Sequence, residues 1–509
     1  MDRNTSLQRL ITRDKPWDIA IIGGGATGVG IAVDAASRGY AVCLLEQSDF
    51  GKATSSRSTK LVHGGVRYLQ QGNVALVTEA LHERGLLRAN APHLVHDLPF
   101  VVPNYQWWES PFYGMGLKAY DLLAGKYGFG KSRHLTQLEV LRHIPNLKTE
   151  GLRGGVLYHD GQFDDARLLM DLAATATRFG AALLNYAPVT HLRHDAAGHL
   201  RSLVFTDRET GQAHTVAARC IINATGAFSD QLRRLDNPVA PAIIAPSQGV
   251  HLVLDGGFLS GDSAIMVPHT SDGRVMFAIP WHNRTLLGTT DTAVTDIPLE
   301  PIPQESEIDF ILATAGRYLA RAPQRHDILS MFAGIRPLVS AAHTGKTAAL
   351  SRDHVIEISS GGLLTIAGGK WTTYRRMAED AVDQAMTVGG LPHRACVTRT
   401  LPIRGSHRPA AGAQDSTPPM IDQSLHERLS ITNDDVIYFI RHEMARGLDD
   451  ILARRTRCLL LDARATIAAA PQIAGIMALE LNQDQAWAQR QTAEFTQLAH
   501  GYIPAHTSA

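Results

Sequence analysis

The sequence predicts an α/β protein in three parts: a Rossmann-like domain, a mixed or antiparallel β-sheet domain inserted into it, and an all-α C-terminal domain. Three observations carry that expectation. An apolar run, Trp17–Ile22, leads into the glycine-rich turn Gly23-Gly-Gly-Ala-Thr-Gly28. Short β-rich pieces crowd residues 241–330, and residues 420–500 are helical in pattern. At 509 residues the chain is also too long for one simple core.

The first observation is the most informative. In Gly23-x-Gly25-x-x-Gly28 the first glycine permits a tight turn and the second lets backbone approach a pyrophosphate. The third lets helix and strand pack closely. Ala26 and Thr27 open the helix that follows, whose N-terminus offers free N–H groups to phosphates. Gly39 suits that helix's end, and Tyr40-Ala-Val-Cys-Leu-Leu-Glu46 reads as the next strand. Glu46 then stands where an acid meets a ribose hydroxyl. A glycine triplet alone would be weak, but the whole strand–turn–helix–strand–acid unit points to a bound dinucleotide.

Bulk properties narrow the rest. Forty-nine basic and 49 acidic residues cancel, which gives no support to a nucleic-acid partner. Cys43, Cys220, Cys396 and Cys458 lack metal-ligand spacing, so we expect no metal and a reducing compartment. The polar Met1–Lys15 stretch has no secretory signal, and no apolar run is long enough to span a bilayer. A cytoplasmic protein, free or on a membrane surface, is expected.

After Glu46, the stretch Ala53–Leu69 is rich in hydroxyls and glycines, which suits a segment wrapping a phosphate-bearing cofactor. Residues 74–90 read as a helix, and 95–150 as an aromatic, irregular insertion. Asp164 and Asp165 open another helix, with acids in its first turn. Arg219–Gly226 reads as a strand returning to the nucleotide sheet, with Thr225 and Gly226 near the cofactor. The chain returns again through Ala333–Leu338 and Leu363–Arg375, and residues 400–415 form a linker. The expected domains are 15–80 with 155–240 and 330–395 (nucleotide), 81–154 with 241–329 (cap), and 400–509 (helical).

Six blocks in order then carry a resemblance: the fingerprint, HGGVRYL at 63–69, NATG at 223–226, GTTD at 288–291, GIRPL at 334–338 and GGKWTTYR at 368–375. With the helical tail they resemble the FAD-dependent, respiratory sn-glycerol-3-phosphate dehydrogenases over residues 15–500. The calcium-binding extension and transit peptide of mitochondrial members find no match here, which places the resemblance with bacterial members. It implies FAD, bound non-covalently, at Gly23, Gly25, Ala26, Thr27, Gly28 and Glu46. The same implication covers Thr54, Ser55, Ser56, Lys60, Leu61, His63, Gly64, Gly65 and Gly226, then Gly369, Lys370, Thr372 and Thr373 at the flavin end. It further implies oxidation of glycerol 3-phosphate at C2 to dihydroxyacetone phosphate, with hydride to flavin N5 and electrons to a membrane quinone, and so a monotopic protein peripheral on the inner face of the cytoplasmic membrane. Members are often dimers, so a homodimer is among the implied assemblies.

The residues agree on substrate charge. Arg67, Tyr68, Arg336, Arg352 and Lys370 lie in or beside these blocks, and guanidinium forks match phosphate oxygens bidentately. Arg352, beside Asp353, equally suits a surface ion pair. Alcohol oxidation also needs a proton acceptor, and His63 and His251 are the candidates. His251 is placed first, since His63 sits in a glycine turn suited to ordering the cofactor. Gly369-Lys370 is no triphosphate loop, because Trp371 follows where Ser or Thr is needed. A single glycine fingerprint favours the small substrate itself, not NADH, as electron donor.

The alternatives are an amino-acid or amine oxidase of the same superfamily, which needs only one carboxylate clamp, and a non-catalytic flavin scaffold. For membrane contact, Trp107–Lys131 joins aromatics to Lys118, Lys126 and Lys131, a composition that suits a bilayer interface or a packed cap helix equally. Leu452–Leu461 reads as a packing helix with a solvated basic face.

Overall fold

The computed structural model describes the chain apart from residues 67, 68, 70, 71, 269, 271–274, 340–353, 407–423 and 506–509. Arg67, Tyr68 and Arg352 therefore lie outside the described residues, as does part of the expected linker.

The fingerprint folds as strand Trp17–Ile22, helix Ala26–Ser37 and strand Val42–Leu45. These belong to a sheet ordered His354–Ile358, Leu363–Gly368, Ala213–Asn223, Trp17–Ile22, Val42–Leu45, Ala182–Leu184. Every pairing along it is parallel except the first. Parallel strands are covered on both faces, which is why these segments read as unbroken apolar runs. Helices Ala26–Ser37, Asp165–Arg178 and Tyr374–Val388 pack together over one face, burying Ile19, Ile21, Leu44 and Ile222 completely. An antiparallel ribbon, Val189–His194 with Leu200–Thr206, extends the far end of Ala213–Asn223. Cys43 and Cys220 are buried in the sheet as small apolar residues.

The second sheet is mostly antiparallel and ten-stranded. It runs Thr292–Ala293, Ile244–Asp255, Arg284–Gly288, Met276–Trp281, Ala264–Val267, Val95–Asn104, Gly154–Phe163, Leu61–Val62. Three segments expected wholly or mostly within the nucleotide domain are strands of this sheet instead: Leu61–Val62, Gly154–Phe163 and Ile328–Val339. Gly154–Phe163 pairs with Val95–Asn104 along its whole length, and Ile328–Val339 pairs with Ile244–Asp255 from Ile244 opposite Val339 onward. Both are long strands that satisfy their backbone groups by antiparallel pairing, and Ile328–Val339 also accepts from Thr54 and Arg57 through its Ile335 and Ala333 carbonyls.

The tail is helical, with Asn433–Glu443, Ala463–Glu480 and Gln485–His500 as its main elements. One expectation fails there. Asp450–Arg455 is a π-helical turn whose Arg454 and Arg455 are only 3% and 2% exposed, so this basic face is not solvated. The arginines are buried because carboxylates from elsewhere in the chain meet them, as set out below.

Lys60 and Asp165 show how the sheets are joined. Both side chains are fully buried, and Lys60 Nζ donates to Asp165 Oδ2 at 2.7 Å and to the Ser56 carbonyl at 2.7 Å. Burial lowers the Lys60 pKa, and the Asp165 carboxylate opposes that shift. Removing one partner leaves an uncompensated buried charge, which costs about 3–5 kcal/mol. Asp165→Leu alone is thus expected to lower the urea midpoint sharply, and the Lys60→Met/Asp165→Leu pair to recover most of the loss. Equal midpoints for single and double variants would contradict this.

Candidate active site

The carboxyl ends of the parallel strands converge on a cavity of about 390 Å3. Its wall includes Gly23, Gly25, Ala26, Thr27, Glu46, Thr54, Ser55, Gly226, Gly369 and Lys370, ten of the residues expected to hold a cofactor. Two glycines are sterically required. Gly23 has φ +113°, and a Cβ there would lie 2.6 Å from the Ala224 carbonyl oxygen. A Cβ on Gly28 would fall 1.9 Å from the Gly23 carbonyl oxygen, so Gly28 sets how closely the helix meets the turn.

Hydroxyls and one carboxylate tie this turn to its surroundings. Gly24 N–H donates to Glu46 Oε2 at 2.6 Å, and Ser48 N–H to Glu46 Oε1 at 2.9 Å. Burial raises the Glu46 pKa, against the pull of these two amides. Ser55 Oγ accepts from Ala26 N–H at 2.9 Å, and the Trp371 indole donates to the Ser55 carbonyl at 2.8 Å. Thr54 Oγ1 donates to the Ile335 carbonyl at 2.6 Å. Thr372 Oγ1 accepts from His63 N–H at 3.3 Å. The three expected blocks, at 54–56, 63–65 and 369–373, thus meet through backbone groups although they are far apart in sequence.

A second, smaller cavity of about 160 Å3 lies on the other side of that junction. Leu61, His63, Gly65, Arg336 and Thr59 line it, with Phe100, Tyr158, Met266, Val275 and Phe277 as its apolar wall. The Arg336 guanidinium is held by Thr289 Oγ1 at 3.1 Å, the Thr290 carbonyl at 3.0 Å and Asp291 Oδ1 at 3.3 Å. Gly249 leaves room for the guanidinium: a Cβ there would lie 2.3 Å from Arg336 Nη2 and displace it. Behind this sits Glu307, 4% exposed, which accepts from Thr290, Thr292 and Gln248 at 2.8 Å each. The GTTD turn, and with it the guanidinium, is fixed from below. Gly64 N–H donates to Tyr120 Oη at 2.8 Å, which in turn donates to Asp160 Oδ2 at 2.7 Å, beside Arg84.

His251 is not on either wall. Its Nε2 meets Thr59 Oγ1 at 2.9 Å, its ring stacks on Phe332 at 4.9 Å, and only 2% of it is exposed. Burial, then the nearby Arg336 and Lys60 charges, hold its pKa well below 6.5, so the ring is neutral. The first-placed candidate for the proton acceptor thus stands behind Thr59, and His63 is the histidine facing the cavity. Lys60 likewise faces Asp165 and not a cavity, and Ser56 contributes its carbonyl to Lys60. Thr59, Asp160, Asp291 and Glu307 were not singled out from sequence. Asp291 lies in the GTTD block, but nothing local to Thr59 or Glu307 marks them.

Among the described residues no cluster of His, Cys, Asp and Glu could hold a metal ion.

Comparison with known proteins bears on this arrangement. The family model described as FAD dependent oxidoreductase matches residues 18–375. A second, described as the C-terminal domain of alpha-glycerophosphate oxidase, matches residues 410–488. The mitochondrial glycerol-3-phosphate dehydrogenase of Macaca fascicularis is 40% identical over 530 residues, which span 93% of this chain and 72% of that protein. The chain belongs to the FAD-dependent glycerol-3-phosphate dehydrogenases. The mitochondrial glycerol-3-phosphate dehydrogenase of Arabidopsis thaliana is also 40% identical, over 93% of this chain and 84% of that protein. Among solved structures, the FAD complex of the Bacillus halodurans glycerol-3-phosphate dehydrogenase aligns with a TM-score of 0.77 and 28% identity, covering 99% and 98% of the two chains.

FAD is the cofactor of this dehydrogenase fold, and the first cavity fits it. The turn has no room for a Cβ at Gly23 or Gly28, the N-cap of the helix behind it is Gly25, which brings no side chain of its own, and Glu46 stands at the cavity edge.

The neutral His251 has a consequence for acid stability. Unfolded histidine takes up a proton near pH 6.5, whereas the buried ring resists it, so folding stability is full above that value and lost as pH falls below it. His251→Phe, which keeps the stack on Phe332, should therefore show a shallower fall in Tm between pH 7 and pH 5 than the wild type. Parallel curves would mean that His251 is accessible to protons in the folded state.

Proposed function

We propose that this dehydrogenase oxidises sn-glycerol 3-phosphate to dihydroxyacetone phosphate in the second cavity and passes the electrons to a membrane quinone. The observation that carries the reading is the Arg336 guanidinium, fixed on three sides at the wall of a small cavity beside His63. A volume of about 160 Å3 lies well below the ~300–1,000 Å3 of sites for drug-sized ligands, which suits a three-carbon ester.

FAD, when bound, supplies the acceptor for the hydride leaving C2. The protein supplies the rest. Arg336 offers a charged fork to the phosphate, whereas Lys370, expected to share that role, lines the first cavity and not this one. His63 takes the hydroxyl proton, since it faces the cavity and His251 does not. Thr372 holds the His63 backbone, which keeps the imidazole at the junction of the two cavities. Phe100, Tyr158 and Phe277 exclude water, which strengthens each polar contact inside.

The route to a quinone requires a membrane surface. No helix among the described residues is long and apolar enough to cross a membrane. Helix Glu109–Ala124 is two-faced instead: Tyr113, Leu117 and Tyr120 are buried, while Phe112, Met115 and Leu122 on the helix and Trp107 and Trp108 just before it are exposed. Lys118 and Lys126 flank the exposed apolar side, an arrangement that suits anionic headgroups. On this reading the helix rests in the bilayer interface.

Truncating one partner of a buried, hydrogen-bonded charge pair costs about 2–5 kcal/mol. Arg336→Ala is accordingly expected to lower kcat/KM for sn-glycerol 3-phosphate by about 100-fold or more with FAD retained, while His63→Ala should lower kcat by about 100-fold or more. Unchanged kcat/KM in Arg336→Ala would overturn the phosphate assignment. For the membrane, Phe112→Glu/Met115→Glu should abolish co-sedimentation with anionic vesicles while leaving reduction by substrate intact. Persistent sedimentation would contradict the interfacial helix.

A further inference from the structure

The loop from Glu46 to Arg57 supplies much of the first cavity's wall, including Glu46, Lys52, Thr54 and Ser55. Apart from one 3-10 turn at Thr54–Ser56 it has no regular structure, so its own backbone does little to fix its shape. Its three charged residues beyond Glu46 are each paired outside the nucleotide-binding sheet. Asp49 is fully buried and meets two arginines of the C-terminal domain: Arg454 Nε at 2.5 Å, and Arg455 through Nη1 and, at 2.9 Å, Nη2. Lys52 Nζ meets Asp449 at 2.5 Å and Glu300 at 2.6 Å. Arg57 meets Glu300 at 2.5 Å, and Glu300 also accepts from the Tyr502 hydroxyl at 3.0 Å.

The far side of the same node is equally built. Asp450, fully buried, accepts from Tyr186 Oη at 2.7 Å and Arg454 Nη2 at 2.5 Å, and Tyr186 N–H donates to the Ser48 carbonyl at 2.8 Å. The π-helical turn brings the consecutive side chains of Arg454 and Arg455 onto the one carboxylate of Asp49. Four acids (Asp49, Glu300, Asp449, Asp450) balance four bases (Lys52, Arg57, Arg454, Arg455). Asp49, Arg57, Asp450, Arg454 and Arg455 are buried, and such charges are expensive to bury and add little net stability over apolar packing, so their value lies in fixing one arrangement.

We propose that the C-terminal helical domain is a clasp for the cofactor: Arg454, Arg455 and Asp449 hold the Glu46–Arg57 loop against the first cavity and so retain FAD. These are positioning residues, acting through Asp49 and Lys52. The inference rests on FAD occupying the first cavity and is independent of the substrate assignment. It gives the tail a task that the matching family description does not state.

The test is FAD affinity, read by titrating deflavinated protein and following flavin fluorescence. Asp49→Asn and Arg455→Met are expected to raise the FAD dissociation constant at least tenfold, with turnover restored to within about twofold of wild type at saturating FAD. Arg441→Met serves as a control, because Arg441 pairs with Glu480 on the tail's outer surface, and should leave the constant unchanged. If the buried variants fail to fold, Asp449→Asn, at the rim of the node and off the wall of the first cavity, is expected to raise the constant about threefold and decides the question. A constant within twofold of wild type in the soluble variants, with only Tm lowered, would reduce the node to a structural role. Weakened FAD binding in Arg441→Met to the same degree would likewise overturn the clasp.

Discussion

The structure depends on one close approach: the turn after strand Trp17–Ile22 lies against the end of strand Ala213–Asn223, with Gly23 backed onto the Ala224 carbonyl. A side chain at Gly23 would push the two strand ends apart. Because neighbouring parallel strands finish at the same edge, their loops have nowhere else to go, and a crevice for a dinucleotide opens there. The TSS, HGG and GGKWTT segments then close around that crevice through backbone contacts from Ser55, His63 and Thr372.

The second sheet exploits this edge. Strand Ile328–Val339 starts among apolar core residues and ends with Arg336 at the smaller cavity, so the same strand anchors the sheet and delivers the cation. Strand Ile244–Asp255, paired with it, carries His251 beneath that cavity and Gly249 beneath the guanidinium. Arg336 is therefore carried by a regular element and placed by register, whereas His63 and the GTTD turn lie between elements and are held by their hydrogen bonds. A loop supplies the cofactor wall, where the tail's buried arginines do the fixing.

Much of this was legible in the sequence because its signals are local. The fingerprint, its strands and the acid at Glu46 fall within one short stretch, and each block carries its own turn chemistry. What could not be read was long-range pairing. His251 occupies a strand whose pattern looks like any buried strand, and only folding reveals Thr59 between its ring and the cavity. Lys60 reads as a cofactor contact until Asp165 appears across from it. Arg454 and Arg455 read as a solvated face because their partner, Asp49, lies some 400 residues earlier in the chain. Ile328–Val339 was placed with the nucleotide domain because strand type shows in a sequence, but strand partner does not.

The central claim is that one path joins a bound FAD to a phosphate ester held at Arg336. Mixing the FAD-loaded protein with sn-glycerol 3-phosphate in the absence of oxygen, and following the flavin absorbance, tests it most directly. The account predicts rapid, stoichiometric bleaching with the ester and none with plain glycerol at the same concentration. Bleaching by glycerol at a comparable rate, or by an amino acid or amine and not by the ester, would contradict it and reduce Arg336 to a structural ion pair.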